Sequence, residues 1–169
     1  RDKSTRVLII RGSGDLAFSS GADINEFEKA ISKKTLLVSF MHINNEVGSI
    51  NDIKSIGKIC RKNNIFFHVD AAQGIGKLSI DVKDCGIDLM SLSAHKIYGP
   101  KGIGALFKRQ GNIIRPLIHG GGQESNLRGG TENIAGIGGF GMAAEISNID
   151  LEKNSNYILK LEKYFKSLL

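Results

Sequence analysis

The stretch "DLMSLSAHKIYGPKG" (residues 88–102) places a histidine and a lysine between a short apolar run and a turn rich in glycine and proline. The run 88–93 has the length and composition of a buried strand. The turn that follows would hold His95 and Lys96 at the end of that strand. A lysine before such a turn is usually just solvated, so its meaning depends on the sequence around it.

Working outward, the rest of the chain alternates between two patterns. Short apolar runs predict further strands, and apolar residues at helical spacing predict helices. The predicted strands are 5–10, 35–40, 65–70, 88–93 and 102–108, of which the last can run antiparallel. The predicted helices are 23–34 with Asp23 as its cap, 51–64 with Asn51 as its cap, the glycine-rich 132–146, and 150–169. This alternation indicates an α/β fold with a mostly parallel sheet and flanking helices.

Composition narrows the class of protein. The chain has 169 residues, of which 41% are hydrophobic and 24% charged, as in a globular domain with a real core. The net charge is +6, but the basic residues are scattered and form no long run, so we do not expect nucleic-acid binding. The sequence has no long apolar stretch, so we do not expect membrane insertion either. The two cysteines lack metal-binding spacing, so we expect reduced, structural thiols and a cytoplasmic location.

Polar residues follow three of the predicted strands. In parallel α/β sheets, ligands bind outside the carboxyl ends of strands. The residues that this rule selects are Asn44, Asn45, Asp70, Gln73, Ser93, His95 and Lys96. A lysine amine can form a Schiff base with an aldehyde, and an aspartate can hold the proton of a ring nitrogen. This set matches what pyridoxal 5′-phosphate requires, with Gln73 near its phenolate oxygen and Ser93 and His95 near its phosphate.

Each of these residues also has an ordinary structural explanation. Lys96 can be a solvated side chain, and Asp70 can cap the segment that follows it. His68 is best explained as a hydrogen-bonded side chain on a buried strand. Only the spacing of the whole set favours a cofactor site.

Three stretches resemble one protein family. "HVDAAQGIGKLSIDVKDCGIDLMSLSAHKIYGPKGIGALF" (68–107) closely resembles the cofactor-binding core of cysteine desulfurases, class V members of the fold-type I pyridoxal phosphate enzymes. "VSFMHINNEVGSINDI" (38–53) and "HGGGQESNLRGGTENIAGIGGFG" (119–141) are similar to the same family. The resemblance extends from about residue 24 to 169 and implies part of the large cofactor-binding domain. The implied reaction converts L-cysteine to L-alanine and leaves sulfur on the enzyme, for iron–sulfur cluster or thiolation pathways.

The resemblance also implies roles for single residues. It makes Lys96 the catalytic lysine, which forms the Schiff base and takes the α-proton, and it makes Asp70 the partner of the pyridinium nitrogen. Gln73 and Asn45 would contact the phenolate side of the cofactor ring, and Ser93 and His95 would bind its phosphate. Thr131 would bind the phosphate of the neighbouring subunit's cofactor. The last role implies a homodimer. An iron–sulfur scaffold or another sulfur-acceptor protein is the implied partner.

The match to the family is incomplete at both ends. The family's phosphate-binding threonine and ring-stacking histidine would lie upstream of the matched residues, and its nucleophilic cysteine and carboxylate-binding arginine would lie beyond Leu169. Cys60 and Cys85 stand at the wrong places to substitute for that cysteine. We therefore expect no turnover by this chain alone. The alternative to a desulfurase is a truncated, fused remnant that binds only the cofactor or a desulfurase partner.

The N-terminal stretch resembles a different family. "TRVLIIRGSGDLAFSSGADINEF" (5–27) is similar to enoyl-CoA hydratases, the crotonase family, in which the backbone N–H at Ala22 would help form an oxyanion hole. The implied organisation is a crotonase-like fragment at 1–27 and a partial cofactor-binding domain at 28–169. An acyl-CoA crotonase is the third functional alternative, although the acidic residues of that family have no counterpart here.

Overall fold

A mixed sheet organises the described part of the chain. A computed structural model describes residues 7–9, 24–112 and 114–169. Its strands are β1 (Val7–Ile9), β2 (Leu37–Met41), β3 (Phe66–Asp70), β4 (Leu89–Ser93) and β5 (Gly104–Lys108). They lie side by side in chain order, with β1 to β4 parallel and β5 antiparallel to β4. The predicted α/β architecture with a mostly parallel sheet is confirmed.

Helices and one tight turn connect and flank the strands. They are α1 (Ile24–Ala30), α2 (Ile53–Lys62), the 3₁₀ turn Ala94–Ile97, the single irregular turn α3 (Gln123–Asn126), α4 (Ile134–Ile149) and α5 (Leu151–Lys166). All four predicted helices are present. The first ends at Ala30 rather than residue 34, and its predicted cap, Asp23, lies outside the described residues. No helix in the described part of the chain is long and apolar enough to cross a membrane.

The cap of α2 differs from the prediction. Asp52, not Asn51, caps the helix, because its carboxylate accepts hydrogen bonds from the backbone N–H and the hydroxyl of Ser55 at 3.0 and 2.7 Å. Asn51 is buried instead, and its side chain donates to the carbonyl of Met41 at 2.8 Å. Asn51 therefore ties the start of the connection to the end of β2.

The main core lies between one face of the sheet and the first two helices. The residues of this core that are at most 5% exposed are Phe27, Val38, Phe40, Ile53, Ile56, Cys60, Phe67, Val69, Ala71 and Ile87. Alternate residues of β3 point to opposite faces, so Phe67 and Val69 enter this core while His68 and Asp70 occupy the other face. Asp70, a candidate site residue, thus lies on the face of the sheet opposite this core.

The glycine-rich helix α4 packs closely at only part of its surface. A Cβ atom on Gly139 would lie 2.6 Å from Cγ of Pro100, whereas one on Gly138 or Gly141 would meet nothing within 4 Å. The close packing that we predicted therefore holds for the face that contacts the turn after Lys96. There, Phe140 packs with the buried Ala94 and Ile97.

The predicted crotonase-like fragment is mostly beyond the described residues. Of residues 1–23, only Val7–Ile9 are described, and they pair in parallel with β2. The oxyanion donor at Ala22 lies outside the described residues. The division into 1–27 and 28–169 stays a prediction.

Candidate cofactor-binding site

Three parallel strands end at the same edge of the sheet. Asp70, the last residue of β3, pairs in register with Met41 of β2 and Ser91 of β4. Backbone hydrogen bonds continue past the strands, from the N–H of His42 to the carbonyl of Asp70 at 2.8 Å and from the N–H of Ala71 to that of Ser91 at 3.0 Å. The residues that follow β2, β3 and β4 therefore come together, with Asp70 on the central strand.

Lys96 projects from a tight turn at this edge. The 3₁₀ turn Ala94–Ile97 buries Ala94 and Ile97 and leaves His95 and Lys96 exposed. Tyr98 ends the turn in the left-handed conformation, with φ of 65°. Because the apolar residues anchor the turn, its two basic side chains are displayed just past the end of β4.

Ser93 and His95 form a pair beside the lysine. The hydroxyl of Ser93 and Nδ1 of His95 are 2.9 Å apart, and either atom can be the donor. The bond between the hydroxyl and the imidazole leaves a donor for a phosphate oxygen, either Nε2–H of the ring or the hydroxyl, according to the tautomer. The structure thus brings together the two residues for which the sequence predicts this role.

Asp70 already makes one local hydrogen bond. Its Oδ1 accepts from the backbone N–H of Ala72 at 3.0 Å, which is the capping role considered as the alternative. The bond does not exhaust the group, because an ionised carboxylate offers about four acceptor positions. The local cap and a bond to a protonated ring nitrogen are therefore compatible.

Gln73 is held by a lysine that the sequence analysis did not assign to the site. Nζ of Lys77 donates to the backbone carbonyl of Gln73 at 3.1 Å and to its side-chain Oε1 at 3.2 Å. Partial burial lowers the pKa of Lys77, and the nearby positive charge of Lys96 lowers it further. The four-residue spacing of Gln73 and Lys77 was the only sequence signal for this contact.

His42 supports the same turn from its other side. The ring is 5% exposed, and a Cβ atom on Gly74 would lie 2.4 Å from its Nδ1. Burial lowers the pKa of His42, so the ring is neutral at pH 7. Only glycine at position 74 leaves room for this ring, so the residue directly after Gln73 packs against His42.

The two asparagines after β2 differ in what they do. Oδ1 of Asn44 accepts from the backbone N–H groups of Glu46 and Val47, both at 2.9 Å, and so builds the turn. Asn45 is exposed, and its side chain donates to Oε1 of Glu46 at 2.8 Å. Asn44 therefore has a structural role in the turn, whereas the role of Asn45 at the cofactor stays a prediction.

Thr131 stands apart from the other predicted site residues. It is exposed and lies between Gly130, which has φ of 115°, and Asn133, the cap of α4. In the described part of the chain, no hydrogen bond joins it to the sheet edge. Its predicted role, on a neighbouring subunit's phosphate, stays a prediction.

Three side chains have the structural roles that the sequence indicates. His68 is bonded on both ring nitrogens, to Ser39 Oγ at 2.7 Å and Ser91 Oγ at 2.8 Å. Burial raises the pKa of the Cys60 thiol to about 12. The pKa of Cys85 is also raised, first by burial and then by the Asp84 carboxylate. Neither thiol is a reactive thiolate at neutral pH.

Comparison with known proteins gives the class to which this fold and site belong. The family model for class V aminotransferases matches residues 18–169. The chain belongs to the class V aminotransferase family, whose members matched here are pyridoxal phosphate-dependent enzymes.

Individual relatives lie within one branch of that family. The chain is 48% identical over 143 residues to the cysteine desulfurase IscS of Dictyoglomus turgidum, a match that covers 85% of this chain and 36% of the relative. A solved NifS-like protein superposes with a TM-score of 0.84 and 43% identity, covering 88% of this chain and 41% of that one. The structure described as SspA in complex with cysteine has a TM-score of 0.72 and 48% identity, with 75% and 37% covered. The chain thus spans about a third of the length of the IscS relative.

Proposed function

We propose that this chain supplies the pyridoxal phosphate-binding part of a cysteine desulfurase. The observation that carries the proposal is the pairing of β3 with β4, which sets Asp70 beside the lysine-bearing turn. A carboxylate and a primary amine at one sheet edge are the two groups that the cofactor needs from a protein. Relatives at about 50% identity that are cysteine desulfurases support L-cysteine as the substrate, with alanine and enzyme-bound sulfur as products.

The residues present fit the cofactor. When bound, the cofactor supplies an electron sink that lets bonds at the amino acid's α-carbon break. Lys96 would offer the amine for the covalent bond and a base for the α-proton, and Asp70 would hold the proton on the ring nitrogen. Gln73 and Asn45 would contact the phenolate side, and the hydrogen-bonded Ser93–His95 pair would bind the phosphate.

The proposal extends to partners and location. The role proposed for Thr131 requires a second subunit, so we propose a homodimer with shared sites. A sulfur-acceptor protein, such as an iron–sulfur scaffold, would take the sulfur. A cytoplasmic location agrees with reduced cysteines, since Cys60 and Cys85 are both free thiols.

Covalent labelling tests the site. The chain is mixed with pyridoxal phosphate, reduced with borohydride and digested, and the pyridoxyl peptide is sequenced. We expect the label on Lys96, complete loss of label in Lys96→Ala, and unchanged labelling in the control Lys101→Ala, because Lys96 lies in the turn just past the end of β4 and Lys101 lies beyond that turn. A label on Lys77 or Lys101 in the unmodified chain would show that the assignment is wrong.

A second test concerns sulfur release. We predict that this chain alone forms no alanine from L-cysteine, even with cofactor bound, because both of its thiols are buried with raised pKa values. Alanine is measured after incubation with cysteine and cofactor, with Lys96→Ala as the blank. Lysine-dependent alanine formation that is lost in Cys85→Ser would contradict the prediction and identify Cys85 as the nucleophile. The outcome separates a complete desulfurase site from a protein that only binds the cofactor.

A further inference from the structure

We infer that Lys77 is a positioning residue that fixes which end of the Gln73 side-chain amide is available to the cofactor. With Lys77 bonded to the amide oxygen, the NH₂ group is the end left for another partner. The inference rests on the proposed function and deepens it, because it explains how a neutral glutamine is directed toward an anionic phenolate oxygen.

The chemistry of the contact determines the orientation of the amide. Nζ of Lys77 lies 3.2 Å from Oε1 of Gln73 and 3.1 Å from the backbone carbonyl of the same residue. An ammonium has donors and no acceptor, so the amide atom that faces it must be the oxygen. The two donors of the NH₂ group then point away from the ammonium and suit an anionic acceptor, whereas the reversed amide would present its oxygen.

The segment that carries the pair is held at both ends. The backbone N–H of Lys77 donates to the carbonyl of Gly74 at 3.1 Å, and its carbonyl accepts from Ser155 Oγ of α5 at 3.2 Å. The buried His42 ring packs on Gly74 at the other end. These contacts hold the backbone of residues 74–77 at a spacing from which the Lys77 ammonium reaches Gln73.

Lys77 also carries a charge close to Lys96. Its effect on the site therefore has two parts, the orientation of the amide and direct repulsion between two ammonium groups. Replacement of Lys77 by methionine removes both, and replacement by arginine keeps a cation with several donors. The experiment must separate the two parts.

The first measurement needs no cofactor. We compare the ¹⁵N relaxation of the Gln73 side-chain NH₂ in the unmodified chain, Lys77→Met, Lys77→Arg and the control Lys83→Met, which removes an exposed lysine outside the turn. We expect an ordered amide in all but Lys77→Met, where its order parameter falls below about 0.6. An amide in Lys77→Met as ordered as in the unmodified chain would overturn the inference.

The second measurement uses the chain with bound pyridoxal phosphate. A hydrogen-bond donor to the phenolate oxygen stabilises the deprotonated form of the bound cofactor. Loss of this donor therefore raises the pH at which the visible absorbance of the bound cofactor is half changed. We expect a rise of about one pH unit in Lys77→Met, and recovery in Lys77→Arg. In a chain that already carries Gln73→Leu there is no amide to orient. There, Lys77→Met should raise the pH midpoint only by the amount that the lost charge of Lys77 causes.

The double variant decides between the two parts. A Lys77→Met shift of equal size with and without Gln73 would mean that Lys77 acts only through its charge, and the inference would be wrong. If the unmodified chain takes no label on Lys96, the proposed function fails instead. The relaxation measurement then still decides whether Lys77 orients Gln73.

Discussion

At the scale of single residues, Asp70 has a structural role that the contacts show and a chemical role that we propose. Its carboxylate caps the turn to Ala72 and stands on the central one of three strands that end together. A carboxylate can do both because one local hydrogen bond leaves most of its acceptor positions free. The same side chain can therefore shape the turn and still accept the bond that the proposed site requires of it.

Replacement of Asp70 by asparagine separates these roles. The amide oxygen can keep the bond to Ala72, but a neutral amide does not hold a proton on the ring nitrogen. We expect Lys96 labelling to persist while α-proton exchange of bound amino acids falls about 100-fold. Exchange is followed by NMR in deuterated water, with Asp84→Asn, an exposed carboxylate, as the control. Exchange at the unmodified rate would exclude Asp70 as the pyridinium partner.

At the scale of elements, α4 shows that neighbouring glycines have different reasons to be there. Gly139 lies against Pro100, in the turn that follows Lys96, while Gly138 faces open space. The helix therefore supports the lysine turn through one glycine and tolerates substitution at the other. The two positions form a matched pair within a single helical turn.

Alanine substitution at this pair should have opposite effects on the free energy of unfolding. Gly138→Ala should stabilise the chain by about 0.5–1 kcal/mol, because alanine is the better helix former. Gly139→Ala should destabilise it by about 1–3 kcal/mol, because its Cβ atom would lie 2.6 Å from Cγ of Pro100. Urea unfolding measures both values. Stabilisation of similar size at both positions would contradict the described packing of α4 on the turn.

At the scale of the whole molecule, two histidines couple folding to pH. Burial lowers the pKa of His42, and burial lowers that of His68 although the Asp70 charge opposes the shift. The unfolded chain binds protons at these rings near the ordinary pKa of 6.5, and the folded chain binds them only at lower pH. The contribution of these two neutral rings to the free energy of unfolding is thus fully present above about pH 6.5. It is lost as the pH falls through the pKa values that the rings have in the folded chain.

We expect the free energy of unfolding to decrease when the pH is lowered from 7.5 to about 5. The loss amounts to about 1.4 kcal/mol for each unit by which a pKa is lowered. Urea unfolding at several pH values measures it, and NMR titration of the ring protons assigns it to His42 and His68. In His68→Gln, the free energy of unfolding should depend less steeply on pH. In the control His119→Gln, which changes an exposed histidine, it should depend on pH as in the unmodified chain. A flat profile between pH 7.5 and 5 would contradict the prediction.

The sequence by itself determined the order and type of the main elements. Alternating apolar runs and helical periodicity are local signals, and they predicted the five strands and the four longer helices. The place of the candidate site residues after β2, β3 and β4 was predictable for a related reason, since parallel strands end at one edge, whereas their roles stay predictions. The structural roles of His68 and Cys60 followed from their places on a strand and on an apolar helix face.

Only the tertiary structure decided the contacts between segments. Asp52 rather than Asn51 caps α2, because Asn51 is drawn into a buried bond with the carbonyl of Met41. The packing of the His42 ring on Gly74 joins two loops that are far apart in sequence. Such contacts depend on strand register and on the space that packing leaves, which no local pattern encodes. For that reason the lysine, the aspartate and their strands were predictable, while the contacts that hold the Gln73 turn in place were not.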